Sequence, residues 1–242
     1  MGPASASGTV SYVALGDSYS SGDGAGNYSD GACLESANAY PVLWHNAHGG
    51  TFTNKTCAGA TTADVLSSQL GPLSASTTLV SITIGGNDVG FSSVMETCVL
   101  QGNSACVSAV QRAESQAQAS LPGSLDNVLA AIAGRAPGAR VVVLGYPAFY
   151  DLAKSSTCLG LSTTKRTYLN QGADVLDGVI QAAAGRHGDA YVDVRPFFAG
   201  HQICDSGSYL ISVDWLNLLD SYHLNASGQR NGYLRALDAV TG

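Results

Sequence analysis

The chain has 242 residues, 45% of them hydrophobic and 12% charged, enough apolar material for one sizeable core. With a formal net charge of −7 and only 11 Lys plus Arg, it lacks both the basic footprint that nucleic acid requires and a polybasic cluster for an anionic membrane. No apolar run approaches the roughly 20 residues that span a bilayer, so stable membrane insertion is not expected.

Residues 1–8, MGPASASG, carry no charged leader and no apolar h-region, and read as a flexible segment of a mature chain. TVSYVAL (9–15) predicts a buried strand, and NAYPVLWHNAHG (38–49) a helix stopped by a Gly-Gly pair. GTFTNKTC (50–57) is a weaker strand, and TTADVLSSQL (61–70) a helix with a Thr cap. LVSITI (79–84) predicts a third strand. CVSAVQRAESQAQASL (106–121) and PGSLDNVLAAIAGRAPG (122–138) predict helices, the second opened by Pro and closed by Pro-Gly. ARVVVLG (139–145) and AYVDV (190–194) predict the last strands, on either side of a long helix over 162–188. A final helix covers 225–240. Strands alternating with helices predict an α/β fold, a three-layer α/β/α sandwich around a mostly parallel sheet of about five strands. With no repeat, linker or composition break, residues 1–242 read as one domain.

Six cysteines occur, at positions 33, 57, 98, 106, 158 and 204, and none forms C-x-x-C. That spacing argues against a zinc ribbon or dithiol redox site. The even count and loop-like flanks point to three disulfides and an oxidising, extracellular setting, although sequence alone does not choose the pairing.

In a parallel sheet, ligands bind beyond the carboxyl ends of the strands. The residues there are Gly16-Asp17-Ser18, Cys57-Ala58-Gly59-Ala60 and Gly85-Gly86-Asn87-Asp88, with Asp220-Ser221-Tyr222-His223 before the last helix. A serine becomes a nucleophile only when a base takes its proton and something holds that base in the right tautomer. Ser18 and His223 supply the first two, and Asp220, three residues before His223, can supply the third. Acyl transfer also needs donors for the developing oxyanion. The backbone N–H groups of Ser18 and Gly59 and the side-chain amide of Asn87 are candidates.

Together these blocks resemble the SGNH hydrolases, the GDSL esterase/lipase family. GDSYS (16–20), CAGATT (57–62), GGND (85–88) and DSYHLNASG (220–228) are similar to its serine, glycine, asparagine and D-x-x-H blocks, in order and over nearly the whole chain. The resemblance implies the SGNH hydrolase fold, with Ser18 as nucleophile, His223 as base, Asp220 as its orienter, and Ser18, Gly59 and Asn87 as the oxyanion hole. YVALGDSYSSGDGAG resembles the secreted actinobacterial branch of lipases, esterases and phospholipases A. That branch implies disulfides Cys33–Cys57, Cys98–Cys106 and Cys158–Cys204, and in some of its members the carbonyl corresponding to Ser221 supports the base instead of a carboxylate. Leu224 stands where the family often has Pro.

Other readings fare worse. GDGAG (22–26) lacks the spacing and the Lys-Ser/Thr of a phosphate loop. Asp23, Asn27 and Asp30 lack the spacing and terminal Glu of an EF-hand. No G-x-S-x-G elbow occurs. His201, near Asp205, is the rival base. Asp17 reads as structural, fixing its loop through backbone N–H groups. The expected protein is a secreted, monomeric serine hydrolase of lipid acyl esters, a lipase or phospholipase A, needing no metal or organic cofactor. The alternatives are a carbohydrate acetyl esterase and an inactive binding module on the same scaffold.

Overall fold

The computed structural model describes residues 9–154, 158–214 and 221–242. The expected flexible segment at 1–8, and Asp220, lie outside the described residues. Five parallel strands form the central sheet: β1 (Ser11–Gly16), β4 (Thr51–Asn54), β5 (Leu79–Thr83), β6 (Arg140–Leu144) and β7 (Ala190–Val192). β2 (Tyr28–Asp30) and β3 (Glu35–Ser36) pair separately as a small antiparallel ribbon that the sequence did not announce.

The sheet order is β4-β1-β5-β6-β7. The chain thus leaves β1 toward one edge and, from β5 on, builds toward the other. This places a topological switch point between β1 and β5, where a crevice opens at the carboxyl ends of the strands. β1, β5 and β6 are apolar, β-branched and buried almost throughout, as interior parallel strands must be. β4, at the edge, is only partly covered, which accounts for its weaker signal.

Helices cover both faces. On one, α5 (Asn103–Ala119), α6 (Leu121–Arg135) and α7 (Thr163–His187) pack together, with α4 (Phe91–Leu100) against α5 and α3 (Thr62–Asp64) against α6. On the other, α2 (Tyr40–His48), α8 (Arg195–Phe198) and α9 (Arg235–Thr241) gather around a π-helical stretch, Gly228–Leu234. α4 was not expected. Its sequence, FSSVMETCVL, is rich in Ser, Thr and Val, which favour helix weakly. Burial of Met95 and Cys98, and the Cys98–Cys106 disulfide to α5, hold it instead. α5 accordingly starts at Asn103 rather than Cys106.

The other disulfides are Cys33–Cys57 and Cys158–Cys204. The first ties the segment between β2 and β3 to the loop that carries Gly59.

Candidate active site

The nucleophile candidate sits on a single helical turn, α1 (Ser18–Ser21), immediately beyond β1. Gly16 makes the sharp exit possible: its φ is +120°, and a Cβ there would lie 2.3 Å from the Thr83 carbonyl oxygen. Asp17 caps α1, its Oδ1 accepting from the Tyr19 N–H at 3.0 Å. This is the structural role expected for it.

Two fully buried glutamines fix the backbone on either side of Ser18. Gln69, at the end of a π-helical extension of α3, accepts from the Gly16 N–H at 2.7 Å and donates to the Gly16 carbonyl at 3.0 Å. Gln229, in the second π-helical stretch, donates to the Tyr19 carbonyl at 3.0 Å and accepts from the Tyr40 N–H at 2.9 Å. Widened turns of this kind recur at functional sites, and here each aims an amide at the α1 backbone.

Across 205 residues of sequence, His223 Nε2 lies 2.9 Å from Ser18 Oγ. Both residues are largely enclosed: Ser18 is 7% exposed, and the imidazole 12%. Tyr222 aims the ring. Its φ of +69° is a left-handed conformation that a bulky side chain rarely adopts. Three contacts hold it there. The Tyr19 hydroxyl donates to the Tyr222 carbonyl at 2.7 Å, the Tyr222 and Tyr150 hydroxyls pair at 2.8 Å, and the ring packs edge-on against Phe149. Among the described residues, the buried Nδ1 of His223 meets no hydrogen-bond partner. Ser221, whose carbonyl was the alternative support, accepts from the Asp214 N–H through its hydroxyl.

The donor loops are tied to one another. Asn87 Nδ2 donates to the Ala60 carbonyl at 2.9 Å, which leaves its second hydrogen for the crevice. The Asp88 carboxylate accepts from the Thr62 N–H at 3.0 Å and from the Thr62 hydroxyl. Asp88 thus links the asparagine loop to the glycine loop. Among the described residues, the N–H groups of Ser18 and Gly59 donate to no protein group.

His201 is engaged elsewhere. Its Nδ1 lies 3.0 Å from the Gly207 carbonyl, its ring stacks on Tyr209, and Asp205 pairs with Lys154.

A family model described as the GDSL-like Lipase/Acylhydrolase family matches residues 14–230. The chain belongs to the GDSL-like lipase/acylhydrolase family. Membership makes it a carboxylic ester hydrolase by class. "Lipase 1" of Streptomyces coelicolor is 53% identical over 241 residues, covering 98% of this chain and 88% of its own length. A crystal structure of an extracellular lipase from Streptomyces rimosus superposes with a TM-score of 0.92 at 50% identity, covering 96% of this chain and all of that one. Phospholipase A1 from Streptomyces albidoflavus gives the same TM-score and identity, covering 96% and 99%.

Within this GDSL-family framework, two residues near the crevice were missed from sequence. Tyr146, one residue past Gly145 at the end of β6, donates its hydroxyl hydrogen to Asp17 Oδ2 and accepts from the Gly86 N–H at 3.0 Å. It therefore joins the serine loop to the asparagine loop. The rule that sites lie beyond strand ends covers β6 as well as β1, and would have found it. Asp23, whose Oδ2 lies 3.6 Å from His223 Nε2, was read only against calcium and phosphate motifs.

Two buried carboxyls clamp Tyr146, because Asp177 Oδ1 also accepts from its N–H at 2.8 Å. Burial pushes Asp17 and Asp177 each up to about 7. Between pH 4 and 7 the unfolded chain releases protons that the folded chain keeps, so these two groups lower stability as pH rises. Asp64, Asp126, Asp193 and Asp205 are held below the usual carboxylate range, by hydrogen bonds to Thr61, Arg186, Arg195 and Lys154 respectively, and their contribution is lost only in stronger acid. Guanidinium unfolding at pH 5 and pH 8 should therefore show the higher midpoint at pH 5, and equal midpoints would contradict the burial of neutral Asp17 and Asp177.

Proposed function

We propose that the protein is a secreted serine hydrolase that cleaves acyl esters of lipids. The observation that carries this reading is the 2.9 Å contact between Ser18 Oγ and His223 Nε2 at the switch point of the sheet. Ser18 Oγ attacks the ester carbonyl while its proton passes to His223 Nε2. The carbonyl oxygen becomes an oxyanion facing the Ser18 and Gly59 N–H groups and the free hydrogen of the Asn87 amide. Collapse of this intermediate breaks the ester bond, and His223 gives its proton to the departing alcohol. Water then attacks the acyl-enzyme, with His223 again the base, and the acid leaves. Asp220 is the proposed orienter of Nδ1, and the Ser221 carbonyl its alternative.

The lipid assignment draws on the surroundings of this pair. A cavity of about 270 Å³ beside His223 is lined by Phe91, Met95, Val99 and Tyr222, with Ser92, Glu96 and Ser221 as its polar members. Phe91 and Met95 also line a small, almost wholly apolar cavity between α4, α5 and α7 that reaches Gly86 and Tyr146. Apolar surface on both sides of Phe91 and Met95, beside His223, suits an acyl chain. The names of the relatives, lipase and phospholipase A1, agree with this reading. Three disulfides and the extracellular lipase from Streptomyces rimosus support secretion.

Hydrolysis of triglyceride and phosphatidylcholine, assayed side by side with p-nitrophenyl esters of increasing length, tests the substrate. Long-chain esters should be cleaved faster than acetate, and at least one of the two lipids turned over. A preference for acetate alone would remove the lipid reading.

A further inference from the structure

The turn Gly22-Asp23-Gly24 follows α1 directly, and the backbone N–H groups of Gly22 and Asp23 both donate to the carbonyl of Ser18 at 3.1 Å. The candidate nucleophile and the Asp23 carboxylate therefore belong to one hydrogen-bonded unit. Gly24 lets that unit press against the base. A Cβ at Gly24 would lie 3.0 Å from His223 Cβ and 2.9 Å from the Leu224 carbonyl oxygen, and its φ is +84°. The result is a 5%-exposed carboxylate with Oδ2 3.6 Å from His223 Nε2, the nitrogen that faces Ser18.

We infer that Asp23 is a positioning residue for the base, stabilising the His223 imidazolium from its Nε2 side while the proton is in transit. The inference rests on the proposed Ser18–His223 pair. The proton moves from Ser18 Oγ to Nε2 and on to the leaving alcohol, while Asp23 takes no proton and neither gains nor loses a bond. A carboxylate at this distance favours the charged imidazole. Enclosure strengthens the attraction, since little water intervenes. Among the described residues, the other titratable groups around the ring are Tyr19 on α1, Tyr222 beside it in sequence and Glu96 on α4, which lines the same cavity. Among the described residues, Asp23 is the carboxylate that approaches Nε2, the ring nitrogen other than the one assigned to Asp220. This role explains why two glycines bracket an aspartate here, a pattern that phosphate and calcium motifs left unexplained.

The test is the pH profile of kcat/KM for Asp23→Asn and Asp23→Glu on a p-nitrophenyl ester, with Ser18→Ala in parallel. Asp23→Asn should lower the plateau by about tenfold or more and move the acidic limb to lower pH by about one unit, because the base loses its counter-charge. Asp23→Glu, which keeps the charge, should leave the limb at the wild-type position. A folded Asp23→Asn protein with an unmoved limb would overturn the inference, because a purely structural role lowers the plateau alone. If Asp23→Asn does not fold, Asp23→Glu decides, and a limb displaced to lower pH in that variant overturns the inference equally. Turnover retained by Ser18→Ala would instead defeat the underlying Ser18–His223 reading.

Discussion

Ser18→Ala is expected to lower kcat on a p-nitrophenyl ester by about 10⁵- to 10⁶-fold, the scale seen when a serine hydrolase loses its nucleophile. The fold should survive. The Ser18 side chain hydrogen-bonds His223, whereas the surrounding turn is held by the Asp17 cap and by Gln69 and Gln229 acting on backbone groups. Thermal unfolding and near-UV circular dichroism should therefore match the wild type while turnover disappears. Activity within about a hundredfold of wild type would mean that another group performs the attack.

Asn87→Ala carries the second-largest expected effect. Removing one oxyanion donor costs about 10² to 10³ in kcat, and KM should change little because the donor acts on charge that develops only after binding. Some stability should also go, on the order of 1 kcal/mol, since the Asn87 amide bonds the Ala60 carbonyl. The two effects separate cleanly: steady-state kinetics reads the first and denaturant unfolding the second. A variant with lowered stability but wild-type kcat would assign Asn87 to loop bracing alone.

The parts of the fold legible in the sequence are those where one force dominates. β1, β5 and β6 are interior strands, so burial on both faces writes a continuous β-branched run. α7 carries its own stop and start signals: Ser162 accepts from the Lys165 N–H, and Gly188 closes it in a left-handed conformation. α4 and the β2–β3 ribbon were illegible because their stability comes from outside them, from Cys98–Cys106 in one case and pairing of three residues with two in the other. The π-helical stretches were illegible for a related reason. Their widening serves Gln69 and Gln229, whose partners are 53 and 210 residues away.

Among the candidate site residues, Ser18, Gly59 and Asn87 stand out in the sequence because each follows a strand of the sheet. The residues that brace them were not. Tyr146 and Tyr222 act through hydrogen bonds to Asp17, Gly86, Tyr19 and Tyr150, and no local pattern marks a phenol for such a task. Asp23 belongs with them, since its relation to His223 exists only once α1 and the C-terminal segment meet.

The central claim, that the Ser18 hydroxyl is activated by the His223 imidazole, is tested most directly by labelling with a fluorophosphonate and locating the adduct by mass spectrometry. One adduct per chain on the peptide carrying Ser18, abolished in His223→Gln, is the result the account predicts. An adduct elsewhere, or undiminished labelling of Ser18 in His223→Gln, would contradict it.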